Sequence, residues 1–127
     1  MKKLTNKTVG TLKVHDVSLN LMKANDFVAE MIRETVFQEY HQEIPYSVFC
    51  QIEEFRENED PIYIQANLFV ERDSQKRILI GKKGSSIRRL GTLSREKIEE
   101  FLGHRVYLDI WIKVLPNWRR KRGHLKK

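Results

Sequence analysis

Cysteine, proline and long apolar runs are all scarce in this 127-residue chain, and each shortage excludes something. The single cysteine, Cys50, has no partner for an internal disulfide, and its apolar, strand-like setting marks a buried thiol rather than a nucleophile. No run of about 18 apolar residues occurs, so no membrane-spanning helix is expected. Met1-Lys2-Lys3-Leu4 is not followed by the apolar segment of a signal peptide, which makes the cytosol the expected compartment. Three prolines and 40% hydrophobic content fit one domain with a single core. The carboxylates Glu53, Glu54, Glu57, Glu59 and Asp60 lack the D-x-D-x-D-G spacing of a calcium loop and read as a solvated hairpin tip, so no metal or other cofactor is expected.

Acidic residues are also missing from one half of the chain. Residues 1–75 hold 8 Lys/Arg against 13 Asp/Glu, whereas residues 76–127 hold 16 against 4. A one-sided field of this size suits a polyanionic partner, and nucleic acid is favoured over membrane because no amphipathic anchor accompanies it. The basic half opens on an apolar run that breaks at Gly81-Lys82-Lys83-Gly84 and restarts as a helix. Two glycines three apart let the backbone turn sharply, and the next helix begins with N–H groups that have no intrahelical partner. Uncapped amides, the positive end of a helix dipole and two ammonium groups together attract phosphate.

Taken in order, residues 1–24 form an N-terminal arm or leader, in which Val9 to Val14 and Val17 to Leu21 alternate weakly, as in a short hairpin. Asn6-Lys7-Thr8-Val9 approximates the N-K-x-D guanine motif, but Val9 replaces the acid that would hold the base. A helix is expected from a cap at Asn25 or Asp26 to near Gln42, with Val28, Met31, Ile32, Thr35 and Val36 on one face. His41 near its end is a dipole partner rather than a ligand. Alternation about Val48, Cys50 and Ile52, and again from Ile62 to Val70, predicts two strands joined by the acidic turn. A short helix over 74–80, capped by Asp73 or Ser74, ends at Gly81; a longer one opens at Ser85 or Ser86 and ends at Gly103. In the longer helix Ile87, Leu90, Ile98, Phe101 and Leu102 share a face, with Gly91 and Ser94 allowing close packing. Residues 106–114 alternate as a third strand, and residues 116–127 form a basic tail. The third strand returns parallel to the second through a right-handed crossover. The expected fold is therefore α+β: order α-β-β-α-α-β, a three-stranded mixed sheet, and three helices covering one face of it over residues 25–115. Tyr63, Phe69, Tyr107 and Trp111 fall on the other face, open or covered by the arm.

The run ERDSQKRILIGKKG at 71–84, with EIPYS at 43–47, IEEF at 52–55, LGHRVYLDIWIKV at 102–114 and NWR at 117–119, resembles the C-terminal type II KH domain of the Era GTPase family. The resemblance covers about residues 26–119 and places GKKG where the KH loop belongs. It implies the α-β-β-α-α-β fold, binding of single-stranded RNA, and a role on the 3′ region of small-subunit ribosomal RNA, with the small ribosomal subunit as partner. Era-like proteins also carry a GTPase domain in the same chain. No G-x-x-x-x-G-K-[ST] phosphate loop occurs here, so GTP hydrolysis is not expected of these residues.

The expected site is a groove in which Gly81, Lys82, Lys83, Gly84 and Ser85 hold the backbone of about four nucleotides. Ile78, Ile80, Ile87 and Leu90 are candidates for an apolar floor, between the two helices and the edge of the second strand. Arg88, Arg89, Arg119 and Arg120 extend the phosphate track. Two binding alternatives stand beside this reading: a helix-turn-helix DNA-binding module using 85–102 as recognition helix, and a structural ribosomal protein with a KH core. A nucleotide hydrolase is the enzyme alternative, opposed by the missing phosphate loop.

Overall fold

The computed structural model describes residues 17–40 and 44–117. Helix α1 (Val17–Glu39) leads through a 3-10 turn (Ile44–Ser47) into strands β1 (Phe49–Arg56) and β2 (Ile62–Val70). Helix α2 (Asp73–Ile80), a second 3-10 turn (Lys82–Gly84), helix α3 (Ser85–Leu102) and strand β3 (Val106–Val114) follow. The strand order is β1-β2-β3, with β1 antiparallel and β3 parallel to β2. This is the α+β arrangement expected from the sequence.

Every second residue of β2, from Ile62 to Val70, points into the core. Val28, Ile32 and Val36 of α1, Leu79 of α2, and Leu90 and Ile98 of α3 meet it from the helical side, and all six are almost fully buried. Each such side chain stabilises the fold by about 1.5–3 kcal/mol through loss of apolar surface to water. In β1 the register shifts between Ile52 and Glu54. The extra residue, Glu53, is what allows both Ile52 and Phe55 to pack against the core although three positions separate them.

Three local expectations are corrected. The first helix begins at Val17, so residues 17–21 are helical and not part of a hairpin, and Asn25 and Asp26 lie inside the helix. Positions 17, 21, 24 and 28 continue the 3.6-residue repeat backward, and Asn and Asp cost a helix interior only a few tenths of a kcal/mol. The α2 start is organised by Gln75, whose Oε1 accepts the backbone N–H groups of Glu71 (3.0 Å) and Arg72 (2.9 Å), in place of a cap at Asp73 or Ser74. Phe101 is 43% exposed and packs on Phe27, with ring centroids 5.7 Å apart, outside the core. The expectations for residues 1–16, for His41 and Gln42, and for the tail beyond Asn117 lie outside the described residues.

Candidate nucleic-acid groove

Helix α2 stops because Gly81 takes φ +76°, ψ 177°, after its N–H closes the helix on the Arg77 carbonyl at 2.9 Å. A Cβ at Gly81 would meet Ser86 Oγ at 2.3 Å, so only glycine lets the turn fold back on the start of α3. Lys83 follows in the left-handed region (φ 54°, ψ 28°), a conformation that costs an L-residue roughly 1–2 kcal/mol. Gly84 is also left-handed, and its N–H reaches the Gly81 carbonyl at 3.2 Å. A Cβ there would stand 3.2 Å from Arg88 Nη1, so the second glycine lets the Arg88 guanidinium lie against the loop.

Lys82, Lys83 and Arg88 are thereby brought together, all exposed. Among the described residues none of the three has an ion-pair partner, whereas Arg89 does: it turns to Glu39 of α1 at 2.6 Å. Gly84 stands at the N-cap of α3 and supplies no capping side chain; the Ser85 N–H closes the turn on the Lys82 carbonyl, and the Ser85 side chain is exposed beside it.

Next to this turn, α3 and β3 enclose an open groove of about 400 Å³. Its helical wall is the i, i+4, i+8 stripe Ile87, Gly91, Arg95, with Arg88 and Thr92 beside it; its other wall is β3, from Val106 to Ile110. Gly91 gives it width. A Cβ there would find nothing within 4 Å, so this glycine opens the groove and does not serve close packing.

The strand beside the groove is β3, and this corrects the expectation for the second strand, which lies between its neighbours and has no free edge. Ile62 N–H donates to Arg105 O at 2.9 Å, and Leu115 N–H to Val70 O at 2.7 Å. In a parallel pair the bonded residues alternate, so odd positions of β3 bond β2 and even positions turn their N–H and C=O outward. The first outward amide, Val106, donates to Glu99 Oε2 at 2.8 Å, and Glu99 Oε1 is held by Arg95 at 3.1 Å. Leu108 and Ile110 thus offer side chains to the groove and backbone donors and acceptors to its rim.

Of the expected floor residues only Ile87 borders the groove. Ile78 is 53% exposed on α2, Ile80 is half-buried against the core, and Leu90 is wholly internal. Arg119 and Arg120 lie outside the described residues. Gly91, Arg95, Leu108 and Ile110 escaped notice as groove residues, though the stripe 87, 91, 95 at helical spacing was the available signal. Cys50 is buried, with its thiol pushed up to about 12 by burial first and by Glu30 second, against the lowering influence of Arg33. It is inert by this geometry.

A helix, a glycine-flanked lysine pair, a second helix and a parallel edge strand define the class: residues 43–119 match the KH domain family, and the chain belongs to it. Among curated proteins it is similar to GTPase Era of Halothermothrix orenii, 46% identical over 101 residues, covering 79% of this chain and 34% of that protein. It is also similar to GTPase Era of Thermotoga petrophila, 52% identical over 94 residues, covering 73% and 31% respectively. Among solved structures, a variant of Aquifex aeolicus Era bound to GDP·AlF4− superposes with a TM-score of 0.74 at 33% identity, over 80% of this chain and 35% of that one. Era in complex with MgGDPNP and nucleotides 1506–1542 of 16S ribosomal RNA superposes with a TM-score of 0.72 at 34% identity, over 78% and 34%. The chain spans about a third of the length of these relatives. No helix among the described residues is long and apolar enough to cross a membrane.

Proposed function

We propose that this chain binds single-stranded RNA along the groove between α3 and β3, with the phosphates over the Gly81-Lys82-Lys83-Gly84 turn. The observation that carries this reading is the meeting, at one end of the groove, of three cations without an ion-pair partner among the described residues and a helix start without a side-chain cap. Lys82, Lys83 and Arg88 neutralise phosphates, the exposed Ser85 hydroxyl donates to them, and the width left by Gly91 admits a base. Alternate residues of a strand stand about 6.6 Å apart, close to the spacing of bases in an extended RNA strand. The outward backbone groups of Leu108 and Ile110 therefore suit the reading of successive base edges, and the plug formed by Glu99 at Val106 ends that row. The bound rRNA of the Era complex supports a target in the 3′ region of small-subunit ribosomal RNA during subunit assembly in the cytoplasm. A GTPase domain in the same polypeptide would supply nucleotide switching; these residues supply RNA binding.

Lys82→Asp with Lys83→Asp is expected to abolish binding to a single-stranded oligoribonucleotide while the melting temperature changes little. Unaltered affinity in the double variant would defeat the groove assignment. Duplex DNA that competes as well as the unpaired RNA would instead favour the helix-turn-helix reading.

A further inference from the structure

The face of the sheet away from the helices has a different chemistry from the groove. Along it Tyr63 stacks on Tyr107 with ring centroids 5.9 Å apart, and Tyr107 and Trp111 are 59% and 52% exposed. Between these rings lies Asp109, whose Oδ2 accepts both the Tyr63 hydroxyl (3.0 Å) and the Trp111 indole N–H (2.9 Å). Both donors use the same oxygen. Oδ1 is left to a ligand, with the rings around it held in place by the very bonds that orient the carboxylate.

Charge decides what that ligand is. Besides Asp109, the surroundings hold Glu53 on Asn67, Glu54 and Glu59 on Arg56, and Asp60 on Arg105, against the cations Arg56, Arg105 and Lys113. Arg56 is bound to Glu54 and Arg105 to Asp60. A phosphate backbone is therefore repelled here, while a cation is drawn in. One already shows the mode of binding: the Arg56 guanidinium lies over the Tyr63 ring, 4.6 Å from its centroid.

We infer that this outer face is a docking surface for an arginine-rich protein segment, with guanidinium groups seated on the Tyr107 and Trp111 rings and one of them bonded to the remaining oxygen of Asp109. Arginine is favoured over lysine because its planar fork stacks on rings and pairs with a carboxylate at once. Trp111 and Asp109 stand outside the lining of the α3–β3 groove and Tyr107 is shared with it, so the two surfaces meet at Tyr107 while the lysine turn and the carboxylates remain separate charges.

The test is an amide and indole NMR titration of the 127-residue chain with a capped octapeptide of alternating glycine and arginine, and separately with oligouridylate. The expected result is that the peptide moves the Trp111 indole and the Asp109 and Tyr107 amides, and leaves Gly81 and Gly84 unmoved. Trp111→Ala and Tyr107→Ser, both at exposed positions, each weaken the peptide by about tenfold, and the alternating glycine–lysine peptide binds less tightly. The Lys82→Asp, Lys83→Asp variant keeps peptide affinity, which separates this surface from the RNA groove. The inference is overturned if the peptide moves none of these signals, if both ring variants bind it unchanged, if oligouridylate moves the Trp111 indole as the peptide does, or if raising the protein concentration alone does so.

Discussion

Two glycines that look alike in one dimension have opposite expected behaviour. At Gly81 a methyl group would strike Ser86, and φ is +76°, so Gly81→Ala should destabilise the fold by about 1–3 kcal/mol and lower the melting temperature by several degrees. Gly91 sits in a helix with open space above it, so Gly91→Ala should raise stability by about 0.5–1 kcal/mol while narrowing the groove and weakening RNA binding. Denaturant melts paired with RNA affinities would check both; a Gly91→Ala chain that bound RNA as tightly as before would remove that residue from the groove. The shape of the lysine turn was legible in the sequence because backbone freedom at flanking glycines is a local property. The role of Gly91 was not, since only the position of β3 decides whether a missing side chain leaves a gap or a tight contact.

Among the elements, α1 is the one whose limits were misread, and its packing also makes a pH prediction. Tyr40, just past its end, donates its hydroxyl to the Leu79 carbonyl at 2.7 Å and so ties α1 to α2 below the turn. Burial first, and Glu39 second, push that phenol up to about 12, and burial pushes the Cys50 thiol up to about 12 as well. Both groups stay neutral in the folded protein to higher pH than in the unfolded chain, whose values are 10.0 and 9.0. Their stabilisation is therefore whole below pH 9 and is lost as pH climbs toward about 12. Urea melts across that window should show falling stability, with a shallower fall in Tyr40→Phe, Cys50→Ala; an identical alkaline slope in the double variant would contradict the assignment. At neutral pH, Tyr40→Phe should cost about 0.5–1.5 kcal/mol for the lost hydrogen bond. By contrast Arg89→Ala, which removes the water-exposed pair with Glu39, should leave the urea midpoint nearly unchanged, because solvent screens that pair. The strands and the two later helices were legible because their periods are clean. The start of α1 was obscured because Val17, Leu19 and Leu21 fit an alternating pattern over the few residues where the helical repeat has little length to declare itself.

For the whole molecule, the charge imbalance along the chain becomes an imbalance across the sheet: free cations gather at the glycine turn, and carboxylates crowd the aromatic face. With Lys82, Lys83 and Arg88 each meeting a phosphate, the logarithm of RNA affinity should fall against the logarithm of salt with a slope of about −2, dropping to about −0.7 in the milder Lys82→Ala, Lys83→Ala variant. Affinity measured over a range of potassium chloride concentrations would test this, and a flat response would exclude an interface led by phosphate contacts.

Composition and local pattern alone determined the α+β order, the sharp turn at Gly81 and Gly84, and the concentration of positive charge after it, because backbone freedom and charge belong to residues wherever they are placed. Only the tertiary structure decided that α3 and β3 enclose the groove, that Arg88 joins the lysines while Arg89 is spent on Glu39, and that Ile78 and Leu90 stand outside the groove. Those outcomes depend on which elements pack side by side, and a strand's neighbours are set by the closing of the whole core.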